Sequence, residues 1–159
     1  RIFDKVPFKN VYYLNGHATD LEEECTRYTS LLSQFPTDIV CLGIGENGHI
    51  AFNDPDVANF NDHKLVKIVK LDHVCRQQQV NEKCFETLEQ VPTEALTLTI
   101  PALLKAKWMF CIVPFKNKAQ AVYRTIHGDI SEKCPASILR RKEKSSLYLD
   151  TESAQLLNL

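Results

Sequence analysis

A histidine inside a glycine-rich stretch is the first residue whose surroundings indicate chemistry. His49 follows the hexapeptide GIGENG at 43–48, and the polar side chains of Asn47 and Asp54 stand two residues before it and five after it. Glycines let the backbone turn sharply and approach a ligand closely. Histidine titrates near neutral pH, and an imidazole oriented by neighbouring acceptors can both take and give a proton. We therefore predict that His49 transfers a proton during catalysis.

The same stretch also fits the G-x-G-x-x-G fingerprint of dinucleotide-binding proteins. That fingerprint requires a long helix that begins inside it, because the helix N-terminus receives the pyrophosphate. Here Gly48 leads into a segment rich in Asp and Asn that extends to His63 and lacks an amphipathic pattern. Asp72, after the next predicted strand, could act as the ribose-binding acid. The nucleotide-binding interpretation therefore stays open as an alternative.

Strand-like and helix-like segments alternate along the chain. Runs rich in β-branched and aromatic residues predict strands, and amphipathic runs predict helices. The predicted strands are 11–14, 38–43, 65–71, 95–100, 108–113 and 146–149. The predicted helices are 20–32, 73–89, 117–126 and 151–157. This alternation predicts an α/β fold with a mostly parallel sheet and flanking helices.

Two apolar runs, at 39–42 and 110–113, are typical of strands that are buried on both faces of a parallel sheet. In open α/β sheets, ligands bind beyond the carboxyl ends of the strands. We therefore expect the site in the loops that follow Leu42 and Val113. The sequence shows no internal repeat and no linker, so we predict one α/β domain over residues 1–159.

Composition excludes several classes of protein. The formal net charge is −1, which argues against a dedicated nucleic-acid or anionic-membrane surface. No apolar run approaches the roughly 18 residues that cross a bilayer. The six cysteines include no C-x-x-C pair, and none of the other histidines has a partner at metal-ligand spacing. We expect free thiols, no metal site and a reducing, cytoplasmic location.

Residues 43–55, GIGENGHIAFNDP, closely resemble the signature G-x-G-x-D-G-H-I-A-F-N-E-P of the glucosamine-6-phosphate deaminases, also called isomerases. Further matches lie upstream at 13–16 and downstream at 91–97, Lys118 and 146–150, in the same order as in the family. The 6-phosphogluconolactonases share the glycine-rich loop, but their segment after the histidine differs from residues 50–55 here. The resemblance therefore favours the deaminase branch.

The resemblance implies a Rossmann-like, three-layer α/β fold that is incomplete at its N-terminal side. It implies conversion of a hexosamine 6-phosphate to a ketose phosphate and ammonia, with no cofactor. The expected partner is a small sugar phosphate, without nucleic acid or membrane, and a homo-oligomer remains open. The residues matched to catalytic positions are His49, Asp54 and Asn47. Those matched to substrate binding are Lys118, Arg76, Gly45 and Gly48.

In this resemblance His49 opens the sugar ring, two flanking acids tune its basicity, and Lys118 binds the phosphate. Several positions depart from the pattern. Asn47 replaces one of the two acids, and Asp54 replaces a glutamate. Phe115 stands where the family has a residue close to glycine. Arg76 is only the nearest candidate for an arginine of the family. The family's phosphate loop and isomerisation base would lie upstream of Arg1, so we expect little turnover from these 159 residues alone. The alternatives are an impaired sugar-phosphate-binding protein and a phosphosugar lactonase.

Overall fold

A computed structural model describes residues 2, 3 and 5–158. Four helices and five strands are present in this part of the chain. In chain order they are α1 (Leu21–Gln34), β1 (Ile39–Leu42), β2 (Val66–Lys70), α2 (His73–Asn81), β3 (Glu94–Leu98), α3 (Ile100–Leu104), β4 (Trp108–Val113), α4 (Ala119–His127) and β5 (Ser145–Leu149). Short 3-10 helices cover Leu88–Gln90, Lys116–Lys118 and Pro135–Arg141.

Three strands form a parallel sheet in the order β1-β4-β5. Leu42 at the end of β1 is opposite Cys111 of β4, and Val113 at the end of β4 is opposite Leu149 of β5. The carboxyl ends of all three strands therefore meet at one edge. This arrangement confirms the predicted α/β fold with a mostly parallel sheet.

The other two strands, β2 and β3, form a separate antiparallel pair in which Ile68 is opposite Leu96. Helix α1 packs beside β2, where Cys25 joins Val66 and Leu96 in a small apolar cluster. Asp20 caps α1 by accepting the N–H groups of Glu22 and Glu23. This pair matters for the site because it supports the loop that follows β1.

The main core lies on one face of the parallel sheet. Its buried residues include Met109, Cys111 and Val113 from β4, with Val122 from α4. The opposite face is open in the described chain, because its apolar side chains remain about half exposed. They are Ile39, Trp108, Ile112 and Tyr148. The prediction that the strands at 39–42 and 110–113 are buried on both faces is therefore wrong for this chain, and Cys41 is exposed.

Two predicted elements do not form, and a third is shorter than predicted. Residues 11–14 are not a strand, 82–89 do not continue α2, and 151–157 make turns instead of a helix. Helix α2 ends at Asn81, and Lys83 beyond it has a positive φ of 58° that an α-helix cannot accommodate. The end of the strand predicted at 95–100 belongs to α3, which Thr99 caps through its hydroxyl.

The helices of this fold are short, and α1 has 14 residues. Within residues 2, 3 and 5–158, every helix is too short or too polar to cross a bilayer.

Candidate active site

The loops after β1 and β4 enclose one side of a cavity of about 750 Å³. Because these two strands pair in parallel, their following loops lie next to each other at the sheet edge. The C-terminal part of α2 forms another wall. The lining includes Gly45 and His49 from the first loop, Gln78 and Glu82 from the α2 region, and Phe115 and Lys118 from the second loop.

Two glycines allow close packing in the loop around His49. A Cβ atom on Gly45 would overlap the His49 ring, so a side chain there would displace it. Gly48 has a φ of +92°, and a Cβ there would come within 2.8 Å of Cys134 Sγ. Gly45 also lines the cavity, whereas the Cβ position of Gly48 faces Cys134. The structure therefore gives Gly45 a role in placing the His49 ring, whereas Gly48 allows the chain to pack closely against Cys134.

The chain after His49 is fixed to the antiparallel pair. Asn53 is fully buried, and its Nδ2 donates to the carbonyl oxygens of Ile50 and Leu98. The Phe52 N–H donates to the Thr97 hydroxyl at 3.0 Å. These contacts with β3 replace the long helix that a dinucleotide fingerprint would require, so the fold does not support nucleotide binding at this loop.

His49, which lines the cavity, forms a close titratable pair with the buried Asp54. Nδ1 of His49 lies 2.9 Å from Oδ1 of Asp54, and both residues are buried. Despite this short distance, Nδ1 makes no regular hydrogen bond among the described residues. Burial raises the pKa of Asp54, but the His49 ring, the Asn47 amide and the Asp72 N–H outweigh it and hold that pKa below its usual value. Asp54 is therefore a carboxylate at neutral pH.

Asn47 connects this pair to a second acid. Its side-chain oxygen accepts the backbone N–H of His49 at 3.0 Å. Its Nδ2 donates to Asp54 Oδ1 at 2.9 Å and to Asp72 Oδ2 at 2.8 Å. Asp72 also caps α2, because its Oδ1 accepts the Cys75 N–H. The amide thus bridges two carboxylates behind the imidazole.

Cys75 completes the cluster below His49. Its sulfur, the Asp54 carboxylate and a ring nitrogen of His49 lie within 4.8 Å of one another, a grouping that could in principle hold a metal ion. Burial and the neighbouring Asp54 and Asp72 charges raise the pKa of the Cys75 thiol to about 12. A metal ligand must be a thiolate. Without an ion beside it, Cys75 is therefore a protonated thiol next to the Asp54 carboxylate.

Lys118 reaches the same cavity from the 3-10 helix that precedes α4. It is 5% exposed, and its Nζ lies 3.2 Å from Glu82 Oε1. The same Glu82 oxygen accepts a hydrogen bond from Gln78 Nε2 at 2.8 Å. A buried ammonium group in a cavity can bind an anion, and here the protein's own carboxylate is its partner.

Phe115 begins the turn that carries Lys118. It has a φ of 81° and a ψ of 145°, a region that residues with a side chain rarely adopt. Its N–H donates to Asp150 Oδ2, and its ring is 62% exposed at the cavity. The resemblance implied a residue close to glycine at this position, and glycine adopts the observed φ and ψ readily.

The remaining predicted site residue lies elsewhere. Nη2 of Arg76 donates to the carbonyl oxygens of Leu88 and Val91, at 2.7 and 3.0 Å. The guanidinium therefore braces the 3-10 helix at Leu88–Gln90 and is not part of the cavity wall. The geometry gives no support for substrate binding by Arg76.

Sequence reasoning missed Gln78, Glu82 and the position of Asp72 beside Asn47. A signal was present for the first two, because residues four apart in a predicted helix share one face. Had the helix at 73–89 been placed beside the His49 loop, Gln78 and Glu82 would have been expected to face the cavity together. The sequence suggested Asp72 only as a ribose-binding acid.

The chain resembles known proteins over nearly its whole length. The family model described as glucosamine-6-phosphate isomerases/6-phosphogluconolactonase matches residues 1–148. The chain is 44% identical over 156 residues to a glucosamine-6-phosphate deaminase of Bacillus cereus (strain B4264), covering 98% of this chain and 58% of the relative. The chain thus spans little more than half the length of this curated relative.

Solved structures agree with this result. A structure described as a monomeric glucosamine-6-phosphate deaminase superposes with a TM-score of 0.84 at 39% identity, covering 91% of this chain and 58% of that one. A 6-phosphogluconolactonase from Thermotoga maritima superposes with a TM-score of 0.65 at 21% identity, covering 91% and 57%. The second likeness concerns the fold alone.

Proposed function

This chain belongs to the glucosamine-6-phosphate isomerase/6-phosphogluconolactonase family, and on that premise we propose that the protein converts glucosamine 6-phosphate and water to fructose 6-phosphate and ammonia. One observation carries the proposal. His49, with its Nδ1 2.9 Å from a buried carboxylate, lines the same cavity as the buried cation of Lys118. A proton-transfer group and an anion-binding group therefore face one substrate-sized space.

In this proposal His49 opens the sugar ring. It takes the proton of the anomeric hydroxyl and returns a proton to the ring oxygen, so the imidazole passes through its charged form. The Asp54 carboxylate stabilises that form, because an opposite charge close by favours imidazolium. The His49 ring must both accept and donate a proton. Because the pKa of Asp54 is lowered, this carboxylate does not compete with the ring for that proton.

Lys118 binds the phosphate in the same scheme. Its ammonium is held at the cavity by burial, and a phosphate dianion would replace Glu82 as its partner. Gly45 keeps that side of the cavity open and leaves room for the imidazole. Transfer of the proton between C1 and C2 needs a further base, which we assign to no residue of this chain.

Several broader statements belong to this proposal. We infer one α/β domain over residues 1–159 and a cytoplasmic location, which agrees with six free cysteines, four of them buried. Assembly into a homo-oligomer has no support here, and one structural relative is described as monomeric.

The test is an ammonia-release assay on the protein expressed from its complete coding sequence, with glucosamine 6-phosphate as substrate. We expect release in the unchanged protein and a loss of at least about 100-fold in kcat for His49→Asn, the size of a general acid–base contribution. His17→Asn, which changes an exposed histidine outside the cavity, is the matched control.

Two outcomes would replace the proposal. Hydrolysis of a phosphosugar lactone that depends on His49 and releases no ammonia would indicate a lactonase. Binding of glucosamine 6-phosphate without turnover of either substrate, in a folded protein, would indicate a sugar-phosphate-binding protein in which the neutral Asn47 limits catalysis.

A further inference from the structure

A second carboxylate stands behind His49 on an element that the family signature does not include. Asp72 lies 25 residues after Asn47 in sequence, yet its Oδ2 accepts a 2.8 Å hydrogen bond from the Asn47 side-chain amide. Its backbone N–H donates to Asp54 Oδ2 at 3.3 Å. The side chain and the backbone of Asp72 therefore each contact a residue that in turn contacts His49.

The orientation of the Asn47 amide depends on these contacts. Asp54 and Asp72 are acceptors when ionised, so they require the nitrogen of Asn47 to face them and its oxygen to face the His49 N–H. With Asp54 alone, the nitrogen would keep only one of its two acceptors. Two acceptors fix the amide in the orientation that holds the His49 backbone.

The negative charge of Asp72 also affects His49. Asn47 is neutral and cannot stabilise an imidazolium by charge, whereas the Asp72 carboxylate adds a negative charge one hydrogen bond further away. Asp54 is 1% exposed and Cys75 is fully buried, whereas Asp72 and Asn47 are half-buried, so solvent screens these charges only in part. Charges separated by a side-chain bridge still interact appreciably in such surroundings.

We propose that Asp72 is a positioning residue of this site, which orients the Asn47 bridge and supplies the second negative charge that favours a protonated His49. The role in catalysis rests on the function proposed above, whereas the effect on the protonation of His49 does not. The remaining titratable groups around His49 are Asp54 and Cys75 beneath the ring, Lys118 and Glu82 across the cavity, and Cys134 against Gly48.

Asp72→Asn separates this role from helix capping. Asparagine caps a helix about as well as aspartate, so the cap on the Cys75 N–H can be kept. The second polar atom of the substituted side chain would then be an NH2 group, which cannot accept a hydrogen bond from Asn47. We expect the NMR titration midpoint of the His49 ring in the 159-residue chain to fall by at least about 0.5 pH unit.

Asn47→Asp combined with Asp72→Asn moves the carboxylate to the other end of the same hydrogen bond. We expect this exchange to reverse at least half of the decrease in the His49 titration midpoint, because two carboxylates again lie behind the ring. Asp129→Asn removes an exposed charge and should leave the midpoint unchanged. Asp72→Ser keeps a capping side chain without charge, and provides a second variant if Asp72→Asn does not fold.

A midpoint within about 0.2 pH unit of wild type in the folded capping variants would overturn the proposal. In the protein from the complete coding sequence, kcat/KM should be measured against pH. The limb of this profile that depends on His49 should move by the same number of pH units as the NMR midpoint, with KM little changed. Ammonia release with an unmoved limb would reject this inference and leave the function standing. A moved NMR midpoint without ammonia release would reject the function and leave the positioning role standing.

Discussion

Lys118 meets the cavity already paired with an acid of the same protein. The Glu82 carboxylate lies 3.2 Å from its Nζ, and the Glu82 side chain is 44% exposed. In the proposed function, a substrate phosphate would replace this carboxylate, and the loss of the existing ion pair would offset part of the attraction between Lys118 and phosphate. At the scale of single residues, Glu82 therefore competes with the proposed phosphate for Lys118.

Glu82→Gln should strengthen phosphate binding. Glutamine keeps a hydrogen-bond acceptor for Gln78 but removes the charge that competes with phosphate. A partly exposed ion pair contributes up to about 1 kcal/mol, which corresponds to about a fivefold lower Kd for inorganic phosphate in calorimetry. Glu143→Gln removes an exposed carboxylate elsewhere and should leave the Kd unchanged. Weaker binding in Glu82→Gln would mean that Glu82 orients Lys118 for phosphate.

At the scale of elements, the turn between β4 and α4 carries backbone strain. Phe115 has a φ of 81° with an extended ψ, and the Asp150 carboxylate holds its N–H in this conformation. The side chain is 62% exposed, so it gains little from burial in return. The strain is located where the chain leaves the sheet and turns towards Lys118.

Phe115→Gly should therefore stabilise the chain by about 1 kcal/mol, because glycine adopts this region without the steric penalty. The measurement is the midpoint of urea unfolding. Phe35→Gly is the matched control, since Phe35 is similarly exposed but has a φ of −122°, and there glycine should lower the midpoint. A lower midpoint for Phe115→Gly as well would show that the turn carries no relievable strain.

At the scale of the whole molecule, one acid connects the N-terminal segment to α1. Glu24 is buried, its carboxylate contacts Arg27 at 2.6 Å, and it accepts the Asn15 N–H at 2.7 Å. Arg27 in turn donates to the Tyr13 carbonyl oxygen at 2.9 Å. The hydrogen bond from Arg27 and then that from Asn15 lower the pKa of Glu24 from 4.5 to about 2.

A pKa that is lower in the folded chain stabilises folding above the unfolded value, and this contribution is lost as pH falls through the folded value. We expect Glu24→Gln to lower the urea midpoint at pH 7, and the difference from wild type to shrink between about pH 4.5 and pH 2. Glu23→Gln, one position earlier and exposed, should show a smaller difference. A difference that is independent of pH would contradict the assigned cause.

The sequence by itself determined the family of this protein and supplied the residues on which the proposed chemistry rests. The stretch at 43–55 identified His49, Asn47 and Asp54, and the hydrophobic patterns located all five strands to within two residues. These features are local, because a glycine-rich turn and an apolar alternation act over a few neighbouring residues. For that reason a single sequence contains them.

The tertiary structure decided which distant residues meet. It placed Asp72 against Asn47 and Glu82 against Lys118, and it used Arg76 to brace a loop. It also arranged β2 and β3 as an antiparallel pair and left one face of the parallel sheet open in the described chain. Such contacts depend on how whole elements pack, and no spacing along the chain encodes which helix end will lie beside which loop.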